Sequence, residues 1–171
     1  MRILYKRRAE QHGFSLVEMI IALAIVAISL AIGIPQIASA MQRSSATATV
    51  NTLVAALNKA RFEAARRGQH VVLQSTSGGN DWSSGWGVYA DTSGDGTFNE
   101  LVTQDKPGSQ AVGVVANNVR VEFNPVAAVQ QPLGFSILVC DARSKAVLRT
   151  IQVAASGTVS NWVPASSGKC P

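Results

Sequence analysis

Glu18 is the only charged residue between Phe14 and Ile34, a stretch of about 21 residues that is otherwise almost wholly apolar. A carboxylate in such a stretch costs roughly 2.5–3.5 kcal/mol on insertion scales and marks a functional position by default. Its chemistry is ion pairing. Near a helix N-terminus the dipole favours a negative charge, and the natural counter-ion is a free amine at the start of a neighbouring copy's helix. That amine exists only if the chain is cut just before Phe14. Cys140 and Cys170 are the only cysteines, and an even pair in an oxidising compartment reads as a disulfide. The alternative, two free thiols in a metal or catalytic site, finds no His or third Cys near. Asp91, Ser93 and Asp95, with Gly96 and Asn99, put oxygen ligands at alternating positions, as a calcium loop requires. Val102 stands where the closing bidentate acid belongs and Glu100 is out of register, so a hairpin turn is the preferred reading. Arg143, Lys145, Arg149 and Lys169 make the last third net basic and are the candidates for contact with a nucleic-acid backbone. Trp82 and Trp86 have the type for an aromatic platform, but beside Gly85 and Gly87 in a strand they read as packing residues. His70 opens a strand with no Asp, Ser or Cys pattern beside it and reads as structural. There is no Gly-rich phosphate loop, paired acid, metal cluster or nucleophile elbow, so neither enzymatic activity nor a cofactor is expected.

The elements that position these residues follow from charge and periodicity. Arg2, Lys6, Arg7 and Arg8 precede the apolar stretch, against Glu10 alone. Basic residues at that place keep the N-terminus in the cytoplasm and send the rest across the membrane. A secretory signal carries its cleavage site after the apolar region; here the candidate site precedes it, so the helix stays with the mature chain. The whole chain of 171 residues carries a net charge of +5. Taking the leader's four basic and one acidic residues from fifteen and ten leaves eleven and nine, or +2. The basic balance therefore belongs largely to the leader and gives little reason to expect nucleic-acid binding.

Gly33 and Pro35 follow the apolar stretch, where a proline predicts a kink instead of a stop. Val50, Leu53, Val54, Leu57 and Ala64 then form an apolar stripe at helical spacing. Arg66, Arg67 and Gly68 suit a helix C-terminus. The result is one helix of roughly 54 residues and about 80 Å. After Gly68 the period changes to two. Strands are predicted at 70–75, 86–90, 111–115, 119–123, 135–140, 147–153 and 158–163, with turn chemistry between them. The fold class is α+β: a long kinked N-terminal helix packed on one antiparallel sheet or a pair of small ones. The chain divides into a leader (1–13), a transmembrane and assembly helix (14–35), an amphipathic helix (36–68) and a β-rich head (69–171).

Gly13-Phe14-Ser15-Leu16-Val17-Glu18, after a basic leader and before an apolar helix, resembles the class III signal of type IV pilins and pseudopilins. An ordinary single-span anchor with an incidental acid is the alternative. The resemblance implies a prepilin peptidase that cuts between Gly13 and Phe14 and methylates the new amine. It also implies assembly with other pilins through the N-terminal helix, in which Glu18 and Pro35 take part. Trp82-Ser83-Ser84-Gly85-Trp86-Gly87-Val88-Tyr89-Ala90-Asp91 is similar to the W-x-x-G-W-x-V-aromatic-x-D signature of the GspH/FimT family. Leu57-Asn58-Lys59-Ala60-Arg61-Phe62-Glu63-Ala64 is similar to that family's L-x-x-A-R-x-E-A. Membership implies a minor pilin of a type IV pilus, in its tip or initiation complex, or the H pseudopilin of type II secretion. A disulfide near the C-terminus resembles the pilus members more. The implied location is the inner membrane, with the N-terminus in the cytoplasm and the head in the periplasm, and then the pilus or pseudopilus. Some members capture DNA through a G-R-x-R turn; the matching turn here, Gly157-Thr158-Val159-Ser160, has no arginine.

Overall fold

The computed structural model describes residues 14–131, 134–162 and 168–171. The chain divides into two compact units, one ending at Ser39 and the other running from Ala40 to Pro171. A single helix, α1 (Leu16–Arg67), contributes to both. Gly33 and Pro35 do not end it, because the missing proline hydrogen bond costs one rung of a long ladder. Its C-terminus closes as the sequence predicts. Gly68 takes the left-handed conformation (φ 63°), and the Gln69 amide donates back to the Ala64 carbonyl at 3.3 Å, as in a Schellman motif. Arg66 and Arg67 complement the dipole there.

In the second unit one face of α1 is buried. Ala46, Val50, Leu53, Leu57, Ala60 and Ala64 recur at alternating steps of four and three, and Thr49, Ala56 and Glu63 form a parallel row. Leu53, Leu57 and the alanines of this face join one buried cluster with the strand residues. Among the described residues eight strands follow: β1 (Val71–Ser75), β2 (Trp86–Ala90), β3 (Glu100–Asp105), β4 (Val112–Ala116), β5 (Arg120–Phe123), β6 (Phe135–Asp141), β7 (Val147–Val153) and β8 (Val159–Trp162). They form two four-stranded antiparallel sheets, ordered β3-β2-β1-β5 and β4-β6-β7-β8. Alternation decides the inward face: Val112, Val114 and Ala116 on β4, then Phe135, Ile137 and Val139 on β6, are buried. Of the last predicted strand, 158–163, β8 covers Val159–Trp162, and residue 163 lies outside the described residues.

Strand β3 is the element that sequence periodicity does not announce. Its register against β2 shifts between Val88, which faces Thr103, and Tyr89, which faces Leu101. Val102 is therefore an extra residue, a bulge that breaks the two-residue alternation.

Candidate functional site

In the first unit the large apolar side chains of α1 have no cover. Phe14, Leu16, Val17, Met19, Ile20, Ile21, Leu23 and their successors to Ile37 are all exposed. An 18-residue window of this helix has a mean hydropathy of 2.6 and none of it is buried. That is long and apolar enough to cross a bilayer. Glu18 lies in the first turn of α1, exposed, and no described residue pairs with it. Phe14 is the first described residue and Gly13 lies outside the described ones. Pro35 sits within the helix.

The second unit holds the remaining candidates. Cys140, on β6, is bonded to Cys170, with Cα atoms 6.5 Å apart and both residues buried. The tail is laid against the turn between β6 and β7. The Val147 amide donates to the Gly168 carbonyl, and the Cys170 amide donates to the Lys145 carbonyl. Asp141 organises that turn by accepting the amides of Arg143 and Ser144 at 2.7 and 3.2 Å. Burial acts to raise its pKa, but those amides, with the side chains of Ser144 and Gln42, hold it down to about 2.

The four basic candidates fall in two settings. Arg143, Lys145 and Lys169 are exposed around the β6–β7 turn and the tail. Arg149 is half-buried on β7 and donates from Nη2 to Thr47 Oγ1 of α1 at 3.3 Å. The turn at Gly157 has an arginine neighbour of its own from the helix: a Cβ at Gly157 would stand 3.0 Å from Arg61 Nε.

Asp91 is buried, and its carboxylate accepts the amides of Gly94 and Gly96 at 2.7 and 2.9 Å. Asp95 accepts the Thr97 amide and hydroxyl and the Ser93 hydroxyl, which hold its pKa below the usual carboxylate value. Both carboxylates thus take part in shaping the turn. Trp82 and Trp86 have no exposed surface and sit in the core, Trp82 against Phe135 with ring centroids 5.5 Å apart. Gly85 between them has φ 126°, and a Cβ there would meet the Asp105 carbonyl at 2.8 Å, so the signature's glycine is fixed by a close strand approach. Both indole N–H groups are buried without a partner. His70 Nδ1 and Glu122 Oε1 are 2.9 Å apart, joining the start of β1 to β5.

Sequence reasoning missed one ionic cluster. Glu63, only 8 % exposed, accepts from Arg66 Nη2 at 2.6 Å and from Arg67 Nε at 2.8 Å. Arg67 also reaches Glu100 of β3 at 2.8 Å. These hydrogen bonds, Arg66 foremost, lower the Glu63 pKa. The signal was present, because Glu63 stands three and four residues before the arginines.

An N-terminal helix with an uncovered apolar half, followed by a half packed on two small antiparallel sheets, defines the pilin-like class of structural subunits. Residues 49–157 match the family described as type II transport protein GspH, and residues 8–34 match the prokaryotic N-terminal methylation motif. The chain belongs to the GspH family of pilin-like proteins. Two crystal forms of the type IV minor pilin FimU from Pseudomonas aeruginosa PAO1 share its fold, with TM-scores of 0.61 and 0.56 at 16% sequence identity. The alignments cover 72% of this chain and 96% and 97% of the FimU chains. No curated protein sequence matches the chain.

Proposed function

We propose that this chain is a minor pilin of a type IV pilus, cut between Gly13 and Phe14, methylated on the new amine and assembled through α1. The observation that carries the proposal is the uncovered apolar half of α1 with Glu18 in its first turn. Such a surface is satisfied by lipid before assembly and by other helices after it. Inside a helix bundle an unpaired carboxylate is strongly penalised, so Glu18 takes the Phe14 amine of a neighbouring subunit as its counter-ion. The pairing fixes axial register, since displacement by one turn leaves both charges unmatched. A prepilin peptidase and other pilins are the implied partners, and the inner membrane with the head in the periplasm is the implied location.

A second reading, the H pseudopilin of a type II secretion system, is favoured by the description of the family matched over residues 49–157. DNA capture is the weakest reading, because the basic candidates are divided and the turn at Gly157 lacks the arginines.

The test of assembly is cross-linking of processed Glu18→Val protein to its partner pilins. The reading expects normal processing to N-methylated Phe14 by mass spectrometry, with weakened association. Undiminished association, or an intact Met1 in filaments, would refute it. Co-purification with pilus components or with secretion components separates the first two readings.

A further inference from the structure

The second unit carries a candidate ligand site of its own. A cleft of about 510 Å³ lies between the start of the head's helical segment and β7, lined by Arg43, Ala46, Val147, Leu148 and Arg149. No acid lines it, and among the described residues neither arginine is paired with a carboxylate. Arg149 is held in place. Its Nη2 donates to Thr47 Oγ1, and the Thr47 hydroxyl donates to the Arg43 carbonyl at 3.0 Å. One bond of that kind leaves most of the Arg149 fork, and the whole of the Arg43 fork, open to an acceptor.

Two unpaired guanidinium groups on one cleft select an anion with several acceptor oxygens, and their planar forks match phosphate. The remaining lining, Ala46, Val147 and Leu148, suits a phosphate that carries an apolar body. We propose that this cleft binds the phosphate of an anionic membrane lipid, with the phosphate on Arg43 and Arg149 and the adjoining glycerol and acyl carbons on the apolar lining. The phosphate chemistry alone would also admit free inorganic phosphate. Position in the chain favours the lipid. The exposed apolar residues of α1 run to Ile37 and Met41, and Arg43 follows directly. Six residues from Ile37 reach at most about 20 Å of chain, so Arg43 stays close to the headgroup layer that borders the hydrocarbon core. The inference rests on the reading of the apolar half as a membrane segment.

The experiment places the full processed chain in nanodiscs of phosphatidylcholine, alone or mixed with phosphatidylglycerol, and measures retained lipid by native mass spectrometry. The wild type is expected to retain phosphatidylglycerol in preference. Arg43→Gln and Arg149→Gln are each expected to lower that preference by about five-fold, the effect of one basic residue near an anionic surface. Arg43 is exposed, so its replacement tests the site without endangering the fold. Lys59→Gln, which removes the same charge elsewhere on α1, should leave the preference unchanged. Equal retention of the two lipids, or an equal loss with Lys59→Gln, overturns the proposal. Displacement of the lipid by millimolar inorganic phosphate assigns the cleft to the free anion and overturns the lipid assignment. Failure to enter either nanodisc overturns the membrane reading itself, and this proposal with it.

Discussion

Removing the Cys140–Cys170 bond tests how the tail contributes to the head. The bonded residues are 30 apart in sequence. Closing a loop of that size restricts the unfolded chain by about 3–4 kcal/mol in the entropy model. Part of this is recovered in the reduced protein, where among the described residues the end of the tail keeps two backbone hydrogen bonds, Val147 to Gly168 and Cys170 to Lys145. Each is worth about 1 kcal/mol net, against roughly 1–2 kcal/mol for each residue held in order. The tail should therefore fray before the head unfolds, and the net loss should be about 2–4 kcal/mol. For a unit of this size that lowers Tm on the order of 10 °C. The variant is Cys140→Ala with Cys170→Ala, because a serine hydroxyl at the buried Cys140 would add a desolvation cost of its own. Thermal unfolding of the detergent-extracted chain, followed by circular dichroism, gives the difference. An unchanged Tm, or two freely alkylated thiols in the exported wild type, would refute the reasoning.

Glu63→Ala removes two charge-assisted hydrogen bonds and leaves Arg67 only Glu100 on β3. Because both arginines keep some water, the expected loss is about 1–3 kcal/mol, measured by urea unfolding. Glu63→Gln should recover only a small part, since an amide oxygen binds two guanidinium groups weakly. Asp141 has a depressed pKa, so its contribution is present above the usual carboxylate pKa and is lost as pH falls from about 4 toward about 2. The shift corresponds to at most about 2.5 kcal/mol, and solvent screening reduces this to about 1 kcal/mol. Asp141→Asn should flatten that part of the acid-unfolding curve. An unaltered curve would show that the turn is held without its charge.

The parts of the fold that were legible in the sequence are those where one physical signal dominates. Apolar length revealed the first half of α1, helical spacing revealed Leu53 and Leu57, and Gly68 with two arginines revealed the helix end. Runs of β-forming residues between turn residues located β4, β6 and β7 to within a residue or two. Strand β3 was hidden because Val102 bulges out of the alternation and because acids stand at both ends, Glu100 and Asp105. The basic candidates looked like one group, since Arg143, Lys145, Arg149 and Lys169 are close in sequence. Yet Asp141 folds the first two into a turn, the disulfide brings Lys169 beside them, and strand geometry sends Arg149 to Thr47. No local pattern encodes that division, because it depends on which residue of a distant helix meets β7. Arg43 and Arg149 share one cleft for the same reason, though more than a hundred residues separate them.

The two halves of α1 answer to different forces, and substitution can separate them. Between Leu16 and Ile37 the large apolar side chains are exposed, so they add little buried area to the chain's own folding. Leu53 is fully buried, and Leu53→Ala should cost the head about 3–5 kcal/mol in lost transfer energy and cavity. Ile25→Ala removes a side chain that touches no core and puts a better helix former in its place. Its effect on head stability should stay within about 0.5 kcal/mol. In an assembled bundle the same change leaves a void between neighbouring helices, and association with partner pilins should fall. The pair of measurements is therefore urea unfolding of the head and cross-linking of the processed chain, made on both variants. Leu53→Ala should lose stability, while Ile25→Ala should lose only association. A loss of more than about 1 kcal/mol of head stability from Ile25→Ala would mean that the apolar half is part of the folded subunit, and not a surface kept for lipid and for neighbouring helices.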